Sequence, residues 1–182
     1  MIARPRVRPI VGDQIRLRPF RGGDLRRVIT WRRDAELRRG ALWGDGVFGP
    51  REARRWLRAV TDAADSGRLT LAVELRTSGR LVGLTNLIRI DRASGTAYFG
   101  VVIGEKDCWG RGVGGETLRL MLQRAEALGL RKVLLEVAAD NPRAIELYRR
   151  VGFQTEGVLR RQLVRPEGPV DVLVMAFFLE DR

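Results

Sequence analysis

The sequence has no histidine, a single cysteine (Cys108), two lysines (Lys106 and Lys132) and no long apolar run. Without histidine there is no histidine triad, no histidine metal ligand and no imidazole base working near neutral pH. One cysteine excludes an internal disulfide and a cysteine-cluster zinc site, and gives no sign of an oxidising compartment. The longest apolar stretches, such as that from Val170 to Leu179, are interrupted by Asp171. They fall well short of the roughly 20 residues a membrane helix needs. Met1 to Arg6 carries charge but no apolar core, so no secretory signal is expected and the cytoplasm is the expected location.

What is there fits one ordinary globular domain over residues 1–182, with residues 1–12 expected as a flexible arm. Hydrophobic residues make up 45% of the chain, enough for a sizeable core. The net charge is +12, nearly all of it arginine. Such a surface suits phosphates, nucleic acid or an anionic cofactor. A solvated basic face explains it equally well, since no basic run is interleaved with aromatics as single-strand binders require.

Periodicity orders the chain. Ile15 and Leu17 alternate with Arg16 and Arg18, which predicts a strand with one buried face. Asp24 is expected to cap a helix carrying Leu25, Val28 and Ile29 and continuing through Trp31 and Leu37. Pro50 starts a second helix, with Ala53, Trp56, Leu57, Val60 and Ala64 on its apolar face. Strands over Leu69–Leu75, Leu81–Ile90 and Thr96–Ile103 are joined by short turns, as in an antiparallel meander. The segment Trp109-Gly110-Arg111-Gly112-Val113-Gly114-Gly115 then opens a helix with Leu118, Met121, Leu122 and Ala125 on one face. Val133–Val137 is a strand. Asn141-Pro142 begins a helix, cap then first-turn proline. Two long strands, about Phe153–Val164 and Val170–Leu179, close the sequence.

The glycine segment is the strongest local signal. Its backbone can turn with positive φ and approach a ligand closely. Its amides, with the free N–H groups of the helix start, suit an anion such as a diphosphate. A plain strand-to-helix turn remains the alternative. No Gly-Lys-Ser/Thr follows, so it is not a Walker loop, and the third glycine is wrongly spaced for a dinucleotide fingerprint.

Gly112 and Gly114 in this loop, Trp31-x-x-Asp34-x-Glu36, the block Asn141-Pro142-Arg143-Ala144-Ile145-x-Leu147-Tyr148-x-x-x-Gly152-Phe153, and Val170 to Met175 occur in an order that resembles the GNAT superfamily of acetyl-CoA-dependent N-acetyltransferases. The form Trp-Gly-Arg-Gly-Val-Gly-Gly-Glu is similar to the branch of ribosomal-protein N-terminal, spermidine and amino-sugar N-acetyltransferases. The resemblance runs from about Ile15 to Leu179. It implies an α/β fold, a mixed and mostly antiparallel sheet flanked by helices. Two central strands, Thr96–Ile103 and Val133–Val137, would splay and hold acetyl-CoA between them. Backbone groups of Val101 and Ile103 would pair with the pantetheine, and the amide of Val102, or of a neighbour on the same splayed strand, would polarise the carbonyl. Amides of Arg111, Gly112, Val113, Gly114, Gly115 and Glu116 would hold the pyrophosphate, with Asn141 on the pantetheine arm and Arg143 within reach.

The implied reaction is direct attack of a primary amine, on a small molecule or a protein N-terminus, on the thioester. No metal is implied. Tyr148 matches the family tyrosine that serves as general acid at the sulfur; on periodicity alone it is a core residue. Tyr98 stands where many relatives carry a glutamate base. Glu74 is one substitute, Asn86 could position a water, and Asp34 or Glu36 could contact an amine. A water chain or an already neutral amine serves equally. Cys108 reads as a packing residue, because nothing activates it. The region from Trp31 to Val60, with Trp43, Asp45, Phe48 and Trp56, corresponds to the acceptor side. Pairing into homodimers and the absence of membrane contact are further expectations. The competing class is a catalytically reduced domain of this family that binds nucleic acid or a ribosomal partner through its basic surface.

Overall fold

The computed structural model describes residues 8–42, 48–61 and 67–180. The first seven residues of the expected arm, and Trp43, Asp45 and Ala64, lie outside the described residues.

Eight strands form one sheet: β1 (Ile10–Val11), β2 (Ile15–Arg18), β3 (Leu69–Leu75), β4 (Leu81–Asp91), β5 (Thr96–Ile103), β6 (Lys132–Ala138), β7 (Gln154–Arg165) and β8 (Gly168–Phe178). Their order is β1-β2-β3-β4-β5-β6-β8-β7. Every neighbouring pair is antiparallel except β5 with β6. That one parallel pair follows from its connection: α4 (Val113–Ala127) carries the chain back across the sheet. The remaining helices are α1 (Leu25–Arg33), α2 (Ala35–Gly40), α3 (Pro50–Thr61) and α5 (Pro142–Val151).

Strand alternation divides the core between the two faces. Leu71 and Val73 of β3 join a cluster with Leu118, Met121 and Leu122 of α4 and Tyr148 of α5. Ala72, between them, joins Val28 and Trp31 of α1 and Leu84 of β4 in a second cluster. No helix among the described residues is long and apolar enough to cross a membrane.

Three expectations are corrected. The end of the expected arm is a strand, because Ile10 and Val11 pair with Leu17 and Arg16. The first helix does not run through to Leu37. Asp34 is extended (ψ 122°) and its side chain accepts from the Leu37 N–H at 3.0 Å, so it stops α1 and caps α2. Asp24 stands at the N-cap of α1, but its side chain makes no capping bond to that helix. Its carboxylate takes Arg18 at 2.7 and 2.9 Å and the Arg21 N–H at 2.7 Å.

Candidate active site

The parallel pairing of β5 with β6 is short. It covers Thr96, Ala97 and Tyr98 opposite Lys132, Val133 and Leu134, and then stops. Beyond it β5 stays on β4 through Ile103, while β6 stays on β8 through Ala138. The two strands therefore diverge, and a cleft of about 720 Å³ opens between them. Val101, Val102 and Ile103 line one wall, and Asn141, Leu147 and Tyr148 the other. The Ile103 carbonyl already accepts from the Trp109 indole N–H at 2.7 Å, which fixes the glycine loop to the end of β5.

That loop forms the end of the cleft. Gly112 precedes α4 at φ +83°, a left-handed position that costs any other residue strain. No side chain caps the helix, and the Glu116 N–H is the first to find a helical acceptor, the Gly112 carbonyl at 2.9 Å. The amides of Val113, Gly114 and Gly115 therefore stand in the orphan first turn, at the positive end of the helix dipole. All three residues line the cleft. Their arrangement fits an anionic group.

Two residues expected beside them are placed elsewhere. The Glu116 amide is used inside the helix, and its carboxylate accepts from the Gln14 N–H at 3.0 Å, tying α4 to β2. Arg111 is exposed and does not line the cleft. Arg119, one turn into α4, does. So does Arg143, whose guanidinium lies 4.9 Å over the Trp109 ring. The motif reading counted Trp109 in the glycine segment without giving it a role, and it passed over Arg119, whose signal was helical spacing from the loop.

Asn141 caps α5, its Oδ1 accepting from the Ala144 N–H at 3.2 Å. That leaves its Nδ2 as a donor. Tyr148 is 7% exposed and packs on Phe153, ring centroids 5.9 Å apart. Its hydroxyl has no hydrogen-bond partner among the described residues. Burial pushes its pKa up to about 12, so the phenol keeps its proton at neutral pH.

The candidate bases fare differently. Glu74 does not line the cleft. It is 2% exposed on β3, bonded to Arg18 at 2.5 Å and ion-paired with Arg16. Burial alone works to raise its pKa, but the Arg18 and Arg16 guanidiniums outweigh that and hold the carboxyl below its ordinary range. Glu74 is an anchor between strands rather than a base. Asp34 and Glu36 both pair with Lys106, at 2.9 and 2.7 Å. Asp140 is held by Arg39 at 2.9 Å and Arg165 at 3.2 Å. Among the described residues the cleft thus has no carboxylate without a cationic partner. Tyr98 is half-buried beneath the Arg89 guanidinium, 5.1 Å from its ring centroid. Buried Cys108 has its pKa raised, by desolvation first and Asp107 second, so it stays a thiol. No group of three or more potential metal ligands occurs among the described residues.

A profile of the acetyltransferase (GNAT) domain matches residues 14–154. An N-alpha-acetyltransferase RimI from Mycobacterium tuberculosis is 41% identical over 97 residues, 53% of this chain. The chain spans only 59% of that relative's length. A spermidine N(1)-acetyltransferase from Escherichia coli is 28% identical over 149 residues, covering 81% of this chain and 77% of the relative. Among solved structures, the spermidine N-acetyltransferase from Vibrio cholerae in complex with CoA and spermine superimposes with a TM-score of 0.80 at 26% identity. That match covers 92% of this chain and 96% of the other.

Proposed function

The chain belongs to the GNAT acetyltransferase family, and from that premise we propose that it transfers an acetyl group from acetyl-CoA to a primary amine by direct attack. The observation that carries this reading is the parting of β5 from β6 after Tyr98 and Leu134, with a cleft between them lined both by the residues of the first turn of α4 and by Tyr148.

When bound there, acetyl-CoA supplies a thioester carbonyl open to attack. The residues of the chain do the rest. The free edge of β5 at Val101 to Ile103 offers backbone groups to an extended amide-bearing arm, as a sheet edge does to an added strand. Val113, Gly114 and Gly115 present N–H groups to a diphosphate, and Arg119 and Arg143 add positive charge nearby. Asn141 donates from Nδ2. The Gly104 N–H bonds the Val82 carbonyl at 2.8 Å, so alternation along β5 spends the Val102 N–H on β4 and turns the N–H groups of Val101 and Ile103 toward the cleft. One of these two, rather than Val102, is the proposed donor to the carbonyl oxygen as charge develops there.

Tyr148 acts at the leaving sulfur. A phenol near 12 is a weak acid beside a thiol of ordinary pKa, roughly 8–9. Full proton transfer to a free thiolate would run uphill by several kcal/mol. Its useful role is to donate a hydrogen bond that strengthens as the sulfur gains charge. The neutral amine forms the C–N bond, the C–S bond breaks, and the proton that the thiolate takes up comes from the nitrogen, which attack has made positive. With no unpaired carboxylate in the cleft, the acceptor enters as a neutral amine or loses its proton to water.

Calorimetric titration with acetyl-CoA at near-physiological salt tests the reading, with a nucleic-acid oligomer as comparison. One-site binding in the micromolar range, about −8 kcal/mol, followed by thiol release with an amine, is expected. No acetyl-CoA binding, with salt-dependent oligomer binding instead, would overturn it.

A further inference from the structure

A second, smaller pocket lies on the opposite face of the sheet, under α1 and α3. Register places Thr70 of β3 beside Asn86 of β4, and Asn86 beside Gly100 of β5. Register partners in a sheet point to the same face, so these three residues form one row across three strands. Gly100 ends the row with no side chain. A Cβ there would come within 2.9 Å of Asn86 Oδ1, so the glycine lets the carboxamide lie over β5. The next strand, β6, has already left: its last pair with β5 is at Tyr98, two residues earlier. The row therefore runs from the small pocket to the point where the main cleft opens.

The pocket has a volume of about 160 Å³. A cavity of about 150 Å³ is enough for one benzene ring. Phe48 and Trp56, with centroids 6.4 Å apart, and Leu84 form apolar walls. The Thr70 hydroxyl and the Asn86 carboxamide line it, and neither has a side-chain hydrogen bond among the described residues. Arg68 lines it from the start of β3 and makes no ion pair among the described residues. Arg32 is a second cation in the wall, its guanidinium 4.6 Å from the Phe48 ring centroid. No carboxylate lines the pocket among the described residues. Among the described residues a polycation finds no counter-charge there, whereas an anion finds Arg68.

We propose that this pocket is the acceptor subsite, and that it takes a primary amine borne on a compact apolar group that ends in an anion. The amine is presented at Gly100 beside Asn86, and the anion is held by Arg68. Two strand spacings separate Thr70 from Gly100, roughly 10 Å, which sets the reach between the two ends. The proposal rests on the acetyltransferase reading and deepens it by naming the acceptor's chemistry.

The test measures thiol release with three probes, 4-(aminomethyl)benzoate, 4-(aminomethyl)benzamide and spermidine, alongside calorimetric binding of acetyl-CoA. The first two differ only in the anion. The benzoate is expected to show kcat/KM at least about tenfold above the benzamide and spermidine, a difference of about 1.4 kcal/mol or more. In Arg68→Glu, a reversal at an exposed position, that advantage is expected to vanish with acetyl-CoA affinity unchanged. Equal kcat/KM for benzoate and benzamide, preference for spermidine, no effect of Arg68→Glu, or acetyl-CoA binding without turnover of any probe would each overturn the anionic acceptor and leave the cofactor reading standing. Failure of acetyl-CoA to bind would remove both.

Discussion

Tyr98 and Leu134 are the last residues at which β5 and β6 face each other in register. One pair later the strands belong to different neighbours, β5 to β4 and β6 to β8. A sheet edge is thereby opened in the middle of the sheet rather than at its border. Unpaired backbone groups at such an edge invite an extended partner, and here the edge ends at the amides of a helix start.

Tyr148→Phe separates chemistry from binding. The hydroxyl has no hydrogen-bond partner among the described residues, so its loss is expected to leave the melting temperature within about 2 °C, no more than the roughly 2–4 °C that 1 kcal/mol moves a domain of this size. Turnover is expected to fall about 10- to 100-fold, at the lower end of general-acid contributions, with acetyl-CoA affinity little changed. Equal turnover in the variant would remove Tyr148 from the mechanism.

Gly114→Val probes the amide cradle. An added Cβ meets Leu147 at 3.5 Å and Ile103 at 3.8 Å, ordinary contact distances, so the helix is expected to fold. The further methyls crowd the first turn of α4. A loss of acetyl-CoA affinity of about tenfold or more, near 1.4 kcal/mol, is expected by calorimetry. Unchanged affinity would place the diphosphate elsewhere.

Glu74→Gln distinguishes an anchor from a base. Removing one partner of a buried charge pair costs about 3–5 kcal/mol, and Arg18 keeps Asp24, so the lower end is expected in thermal or urea unfolding. The variant's kcat/KM, measured where it is folded, is expected to stay within about twofold. Loss of turnover at unchanged stability would return Glu74 to the chemistry.

The same pair sets an acid dependence. The folded-state pKa of Glu74 lies below its unfolded value, so its stabilisation is fully present above the unfolded pKa, about 4.3. It is lost as pH falls from there through the folded pKa. Wild-type stability is expected to drop over that range, and Glu74→Gln to drop less. Parallel acid unfolding of the two proteins would show that Glu74 does not contribute.

The pH dependence of turnover is expected to follow the acceptor. No histidine exists and no cleft carboxylate among the described residues lacks a cation, so kcat/KM should rise tenfold per pH unit up to the pKa of the amine used. Two amines of different pKa are expected to shift the rising limb by that difference. A limb that stays put would reveal a base on the protein.

Local patterns were legible in the residues themselves. The meander from Leu69 to Ile103, the glycine loop before α4 and the Asn141-Pro142 start of α5 all depend on neighbours a few positions apart. Spacing, a capping side chain and left-handed glycine are enough to specify them. The break at Asp34 was harder, because the Leu37 N–H had to choose between a helical carbonyl and the Asp34 carboxylate.

What only the tertiary structure decided is which groups remain free. Glu74 is a base candidate in the sequence and an anchor in the fold, because register brings Arg16 beside it and Arg18 within reach, 56 residues away along the chain. Glu116 is likewise spent on Gln14 across 102 residues. Thr70 looked like an ordinary strand residue, and Asn86 stood only as a residue that could position a water, until pairing lined them up with Gly100. Periodicity reports which face of an element is buried; it carries no information about which distant partner neutralises a charge or leaves a donor unpaired. The residues determined the elements and the family, and packing determined the chemistry left available in the cleft.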